Sequence, residues 1–124
     1  MNNADESNSE RAFDDLLAYF SANKNDNPSP IFHPDNSVNK MMKQRPTALR
    51  KASVLIAITR HSPSKNSEIV LTVRSKNLNS HPGQISLPGG SEEASDSDVV
   101  ATALRESEEE IGLAQGDVEV IGRL

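Results

Sequence analysis

Four glutamates fall within five residues, at Glu106, Glu108, Glu109 and Glu110, directly after Arg105. At 100° per residue on a helix, Glu106, Glu109 and Glu110 share one arc about 100° wide. Carboxylates at that spacing repel one another by about a few tenths of a kcal/mol per pair on an isolated helix. Arg105 offsets part of this if it pairs with Glu109 at i+4 or Glu108 at i+3. A hard divalent cation offsets more, because Mg²⁺ and Mn²⁺ favour oxygen ligands in an octahedral shell. The chemistry on offer is metal binding by carboxylates. A solvated acidic face is the alternative for a bare glutamate cluster, and the surrounding pattern decides between the two.

The elements that must position these groups are legible around them. Ser95 to Asp98 supply N-caps and negative charge at the start of a helix, and Gly112 suits a left-handed stop. Val100, Leu104 and Ile111 lie roughly opposite the carboxylates, so the helix has an apolar face to bury. Gly89 and Gly90 precede the acidic turn and permit close backbone approach. Upstream, Ser53 to Thr59 reads as a buried strand and Glu68 to Arg74 as a second, in a hairpin or side by side. His61 to Ser67 is a polar turn, Lys76 to Gly83 a loop with an exposed His81, and Gln84 to Leu87 a third strand ending at Pro88. Asp117 to Ile121 alternates again and begins another strand.

The stretch Gly89 to Leu113, GGSEEASDSDVVATALRESEEEIGL, resembles the Nudix box. That box reads Gly, five residues, Glu, seven residues, then Arg-Glu-U-x-Glu-Glu-x-Gly-U with U aliphatic. Arg105 to Leu113 match its second half, with Ser107 at an aliphatic position. Counting from Gly90, Asp96 stands where the box has Glu, and eight residues separate it from Arg105. Val70-Leu71-Thr72-Val73-Arg74-Ser75, Gly83 and Leu87-Pro88-Gly89-Gly90 resemble the coenzyme A diphosphatase branch of that superfamily. Asn79 replaces an arginine of the branch signature and offers only neutral hydrogen bonds. The resemblance implies metal-assisted hydrolysis of a nucleoside diphosphate linkage, most simply in coenzyme A or its derivatives. It implies Glu106, Glu109 and Glu110 as ligands of Mg²⁺ or Mn²⁺, with Glu106, Glu109 and Arg105 as the catalytic group. Arg105 is expected to orient Glu109. Arg74, Gly89 and Gly90 are the expected substrate contacts, and the general base is left open. Another nucleoside diphosphate derivative (ADP-ribose or a dinucleotide) and a non-catalytic metal- or nucleotide-binding remnant are the alternatives.

Composition narrows the classes. The 124 residues carry 35% hydrophobic and 3% aromatic residues with mean hydropathy −0.56, so one domain with a modest aliphatic core is expected. The absence of cysteine excludes disulfides, thiolate metal sites and a cysteine nucleophile, and suits a reducing cytoplasm. The polar start MNNADESNSE is unlike a signal peptide, and Val54 to Ile58 is far too short to span a bilayer. Residues 1–37 carry −5, residues 38–81 carry +8 and residues 82–124 carry −8. A basic segment beside a carboxylate helix suits a metal-bound, phosphate-bearing small molecule. Without interleaved aromatics or a helix-turn-helix or zinc pattern, nucleic acid is not the expected partner. Neither a serine elbow nor a P-loop is present, and nothing in the sequence reports the oligomeric state.

Residues 1–37 are expected to hold a disordered start, an amphipathic helix from Ser9 to about Ala22 and a proline-rich linker from residue 23. That helix carries Phe13, Leu16, Leu17 and Phe20 as a packing stripe. The Nudix portion is expected over residues 38–124, with Met41 to Lys51 ambiguous and Pro46 opposing one continuous helix. The fold class expected is α/β (α+β): a Nudix-like α/β/α sandwich with a mixed sheet. The family architecture places further strands and a second helix beyond the box, so the fold is expected to be incomplete at the C-terminus. The box helix is then expected to lack part of the sheet it packs on.

Overall fold

The aliphatic run near residues 52–59 forms the spine of the structure, in two pieces that take different partners. The computed structural model describes residues 3–23, 34–44, 50–59, 67–77 and 82–124. Strand β1 (Ala52–Val54) and strand β2 (Ile58–Thr59) share this run. Strands β3 (Glu68–Ile69) and β4 (Thr72–Val73) divide the second expected strand, and β5 (Ile85–Ser86) is the third. Strand β6 (Gly89–Ser91) contains the double glycine that precedes the acidic turn. β1 pairs antiparallel with β6, setting Ser53 opposite Gly90 and Val54 opposite Gly89. β2 pairs antiparallel with β3 and β4 with β5. The run therefore does not break at residues 55–57 so much as change neighbours. Leu55 N–H donates to the Pro88 carbonyl, and the Ala57 carbonyl accepts from Val70 N–H. All ladders among the described residues are antiparallel, so the expected mixed character is not represented there.

Three helices among the described residues complete the α/β arrangement. Helix α1 (Asn3–Ala22) begins well before Ser9, in sequence whose polarity predicts disorder. Once the apolar stripe nucleates a helix, each added residue gains a hydrogen bond at little further cost, so it propagates into polar sequence. Phe13, Leu16, Leu17 and Phe20 are half-buried as the stripe predicts. The Phe20 ring lies against Gly122, where a Cβ would collide with it. Helix α2 (Asn36–Lys43) starts at Asp35, whose side chain accepts from Ser37 N–H at 2.8 Å. It straddles the expected linker boundary; Pro46, Asn79 and His81 lie outside the described residues. Helix α3 (Val99–Ile111) is the box helix. After it comes a 3₁₀ turn, Gln115–Asp117. The expected strand from Asp117 to Ile121 does not form. Val118 has extended backbone, but the segment has no ladder partner among the described residues, and a strand exists only through such a partner.

Strand alternation sorts the side chains by face. Ser53, Leu55, Ala57, Val70 and Thr72 are half-buried, while Val54, Ile56, Ile69, Leu71, Val73 and Ile85 are exposed, from 44% at Ile56 to 71% at Val73. An apolar face of this kind is larger than scattered surface leucines explain. The box helix was expected to lack part of its sheet; the part present among the described residues is the β1–β6 pair. Helix α3 has β1 and β6 beneath it, and the uncovered surface is this set of strand side chains.

Candidate active site

Helix α3 is capped as its sequence dictates. The Asp98 side chain accepts from Ala101 N–H at 2.8 Å, and Gly112 closes the helix at φ 68°, its N–H reaching the Glu108 carbonyl. Its buried face differs from the expected one. Val100 and Leu104 are only half-buried and Ile111 is 37% exposed, whereas Thr102, Ala103 and Ser107 are buried. Small side chains let the helix sit close to the glycine strand, which a stripe of leucines would prevent. Ser107, at a position where the box is usually aliphatic, satisfies its hydroxyl by donating to the Ala103 carbonyl at 2.7 Å.

That close seat lays carboxylates over β6. Glu110 Oε2 accepts from Gly89 N–H at 3.1 Å, and a Cβ on Gly90 would overlap the Glu106 carboxylate. A Cβ on Gly89 would overlap the Ser53 carbonyl, and its φ of 154° is open only to glycine. Both glycines thus serve close approach, from a paired strand.

Arg105 ties the site together, mainly through a partner that periodicity does not reveal. Its Nε donates to Asp96 Oδ1 at 2.9 Å and its Nη2 to Asp96 Oδ2 at 3.0 Å, a bidentate pair. Nη2 also reaches the Ser91 carbonyl at 2.9 Å. Nη1 donates to Glu106 Oε1 at 3.1 Å and, at the long limit of 3.5 Å, to Glu109 Oε1. The expected Glu109 contact is therefore the weaker of the two, and Glu108 turns instead to Gln115 Nε2 at 2.9 Å. Asp96, nine residues before Arg105, is 4% exposed and also accepts from Thr102 Oγ1 and Glu93 N–H. The sequence signal for it was present: an acid in the box position that the pattern assigns to Glu.

Arg74 stands apart from this group. Its N–H donates to the Gln84 carbonyl and its carbonyl accepts from Gly83 N–H, locking the β4–β5 hairpin. Its side-chain Nε is buried without a hydrogen-bond partner, and no ion pair joins it to the α3 carboxylates among the described residues. An unmatched buried donor is costly, which marks a position where an acceptor oxygen would be welcome.

A NUDIX-domain family model matches residues 49–124. The chain belongs to the NUDIX domain family. It is 43% identical over 75 residues to a protein of Citrobacter koseri named "Uncharacterized Nudix hydrolase NudL", covering 60% of this chain and 38% of that one. It is 45% identical over 75 residues to the NudL of Escherichia fergusonii, with the same coverage. To NudL of Shigella flexneri it is 42% identical over 83 residues, covering 67% of this chain and 42% of that protein. The chain spans about two-fifths of the length of the curated relatives it matches.

Within the Nudix box, the donor set suits a hard cation. Glu106, Glu109 and Glu110 each engage one oxygen in a hydrogen bond, and the second oxygen of each is without one among the described residues. Oxygen-only donors in a row match what Mg²⁺ and Mn²⁺ accept. No three such side chains converge as a ready-made cage among the described residues, and Glu109 is 62% exposed. No described helix of this Nudix chain is long and apolar enough to cross a membrane.

The Asp96 pair also carries a pH signature. The Arg105 hydrogen bonds, then that from Glu93 N–H, hold the Asp96 carboxyl well below its usual range, against the opposing effect of burial. Its unfolded value is about 3.9. A folded pKa below the unfolded one contributes stability that is complete above about pH 5 and is lost as pH falls through 4 and beyond. Thermal melts from pH 7 to pH 3 should show a steep acid limb in the wild type. Asp96→Asn should be less stable at pH 7 yet flatter below pH 5; parallel curves would refute the assignment.

Proposed function

We propose that this Nudix chain hydrolyses the diphosphate linkage of a nucleoside diphosphate derivative, with coenzyme A and its derivatives as the favoured substrates. The carrying observation is Glu106 and Glu110 held over the glycine strand, with Glu109 beside them on the same helix and one oxygen of each unengaged. These three would hold Mg²⁺ or Mn²⁺. Bound there, the cation supplies positive charge against the diphosphate oxygens and eases deprotonation of the attacking water. Arg105 keeps the Glu106 and Glu109 carboxylates oriented, and Gly89 and Gly90 let the β6 backbone lie close against Glu110 and Glu106 beside the substrate. Arg74 offers its unmatched Nε to a phosphate oxygen. Residues 38–124 form the catalytic portion, residues 1–37 an appended helix and linker, and the setting is cytoplasmic.

The coenzyme A reading is supported by the run from Val70 to Ser75 and its spacing to Gly83 and Gly90. A panel of coenzyme A, ADP-ribose and NADH with Mg²⁺ or Mn²⁺ tests it, with Glu109→Gln as the blank. Metal-dependent cleavage of coenzyme A should fall by about 10²–10⁴ in Glu109→Gln, the range of a group that orders or takes the proton of water. Faster cleavage of ADP-ribose or NADH would overturn the substrate, and silence throughout would overturn the activity for this chain. Asn79→Arg adds a charge-assisted contact, and coenzyme A turnover should rise by roughly 10-fold. An equal gain on ADP-ribose would argue against a coenzyme A-specific position.

A further inference from the structure

One ring of the apolar stripe on α1 has a built seat, far away in the sequence. Phe13, Leu16, Leu17 and Phe20 are half-buried, while the residues between them are exposed. The Phe20 ring fills the volume that a side chain at position 122 would take: a Cβ on Gly122 would overlap its Cγ, Cδ1 and Cε1. Gly122 has none of the positive φ found at Gly83, Gly89 and Gly112. Its backbone would accept alanine, so it is the ring that excludes a side chain there. Tyr19 packs edge-on against Phe20, with centroids 5.2 Å apart. Asn23 closes this end of the helix, donating from its N–H and its Nδ2 to the Tyr19 carbonyl. The seat leads back to the box helix. Val118 N–H donates to the Gln115 carbonyl, and Gln115 Nε2 holds Glu108 of α3.

Asn, Asp and Ser recur along α1 and are weak helix formers. Helices in proteins owe most of their stability to packing of an apolar face. We propose that α1 is a strap that is helical only while docked, and that its latch is the Phe20 ring seated on Gly122. The latch also steadies residues 112–122 at the exit of the box helix. One ring on bare backbone is a small joint, so the strap opens at a lower free energy than the fold as a whole. Opening releases the apolar stripe and the segment from Val118 to Ile121 together. The inference is independent of the metal and substrate readings.

Amide hydrogen exchange on the full chain tests it, with wild type, Gly122→Ala, Phe20→Ala and the double variant. Without a latch, both substitutions should act the other way. Alanine is a better helix former than phenylalanine, and Gly→Ala at a compatible φ stabilises by restricting the unfolded chain. With the latch, Gly122→Ala should lower protection across residues 10–22 by about 5-fold or more, the low end of what an overpacked methyl costs. Phe20→Ala should lower it likewise, and Val118 N–H should lose protection in both. The amides of Thr102, Ala103 and Ser107 in α3 should keep theirs. The double variant should lose no more than the worse single, because both changes break one joint. Phe20→Leu, a milder change, should give a smaller loss in the same places even if Phe20→Ala fails to fold. A wild type without protection at residues 10–22 would overturn the strap. Protection unchanged or raised in Gly122→Ala and Phe20→Ala would overturn the latch, as would losses that add in full. Equal losses in α1 and α3 would overturn local opening.

Discussion

Arg105→Met is expected to remove about 99% of any metal-dependent hydrolysis, the upper end of what loss of an orienting residue costs, and to lower the Tm by on the order of 10 °C, a large shift for a small domain. Methionine keeps the packing of the arginine stem, whose side chain is 18% exposed. It leaves Asp96, at 4% exposed, as a charge without this cation, and removes a counter-ion that Glu106 and Glu109 share. Breaking such a pair by deleting one partner is far more damaging than deleting both. Arg105→Met combined with Asp96→Leu should therefore recover much of the Tm without recovering activity. Melts and Mn²⁺-dependent turnover on the two variants separate stability from function; joint recovery of both would show that Arg105 has no part in the chemistry.

Gly89→Ala should be the most destabilising of the glycine changes. Its new methyl would enter the Ser53 carbonyl and the Val54 backbone, neither of which can swing away, because Val54 is paired directly opposite Gly89. Overpacking of about 1–3 kcal/mol adds to a backbone strain of about 1–2 kcal/mol at a φ that side chains avoid. A loss of about 2–5 kcal/mol corresponds to a Tm lower by roughly 10–30 °C in a small domain. Gly90→Ala makes the contrast. Its methyl meets the end of the Glu106 side chain, which can move, so the fold should survive while the carboxylate row is disturbed. Equal melts for the two alanine variants would show that β6 is not seated as described.

The apolar strand face bears on handling of the chain. Val54, Ile56, Ile69, Leu71, Val73 and Ile85 leave a surface that water does not favour. The alternation itself was legible in the runs around residues 53–59 and 68–74, but alternation specifies two faces without saying which one is covered.

What the sequence determined by itself is short-range. Capping chemistry placed the ends of the box helix at Asp98 and Gly112, because a cap bonds within three or four residues of itself. Helical spacing put Glu106, Glu109 and Glu110 on one face, and the apolar stripe at Phe13 to Phe20 produced a helix. The Nudix box was readable from residue types and intervals. What only the tertiary structure decided is set by contacts across longer separations. Asp96 became the main partner of Arg105 because the turn after β6 folds back over α3, nine residues away along the chain. The helix buries Thr102, Ala103 and Ser107 in preference to its larger apolar side chains because β6 beneath it is glycine, and a bare backbone rewards closeness over bulk. Glu110 meets Gly89 N–H for the same reason. Periodicity ranks the faces of a helix by hydrophobicity; the shape of the partner surface decides which face is used.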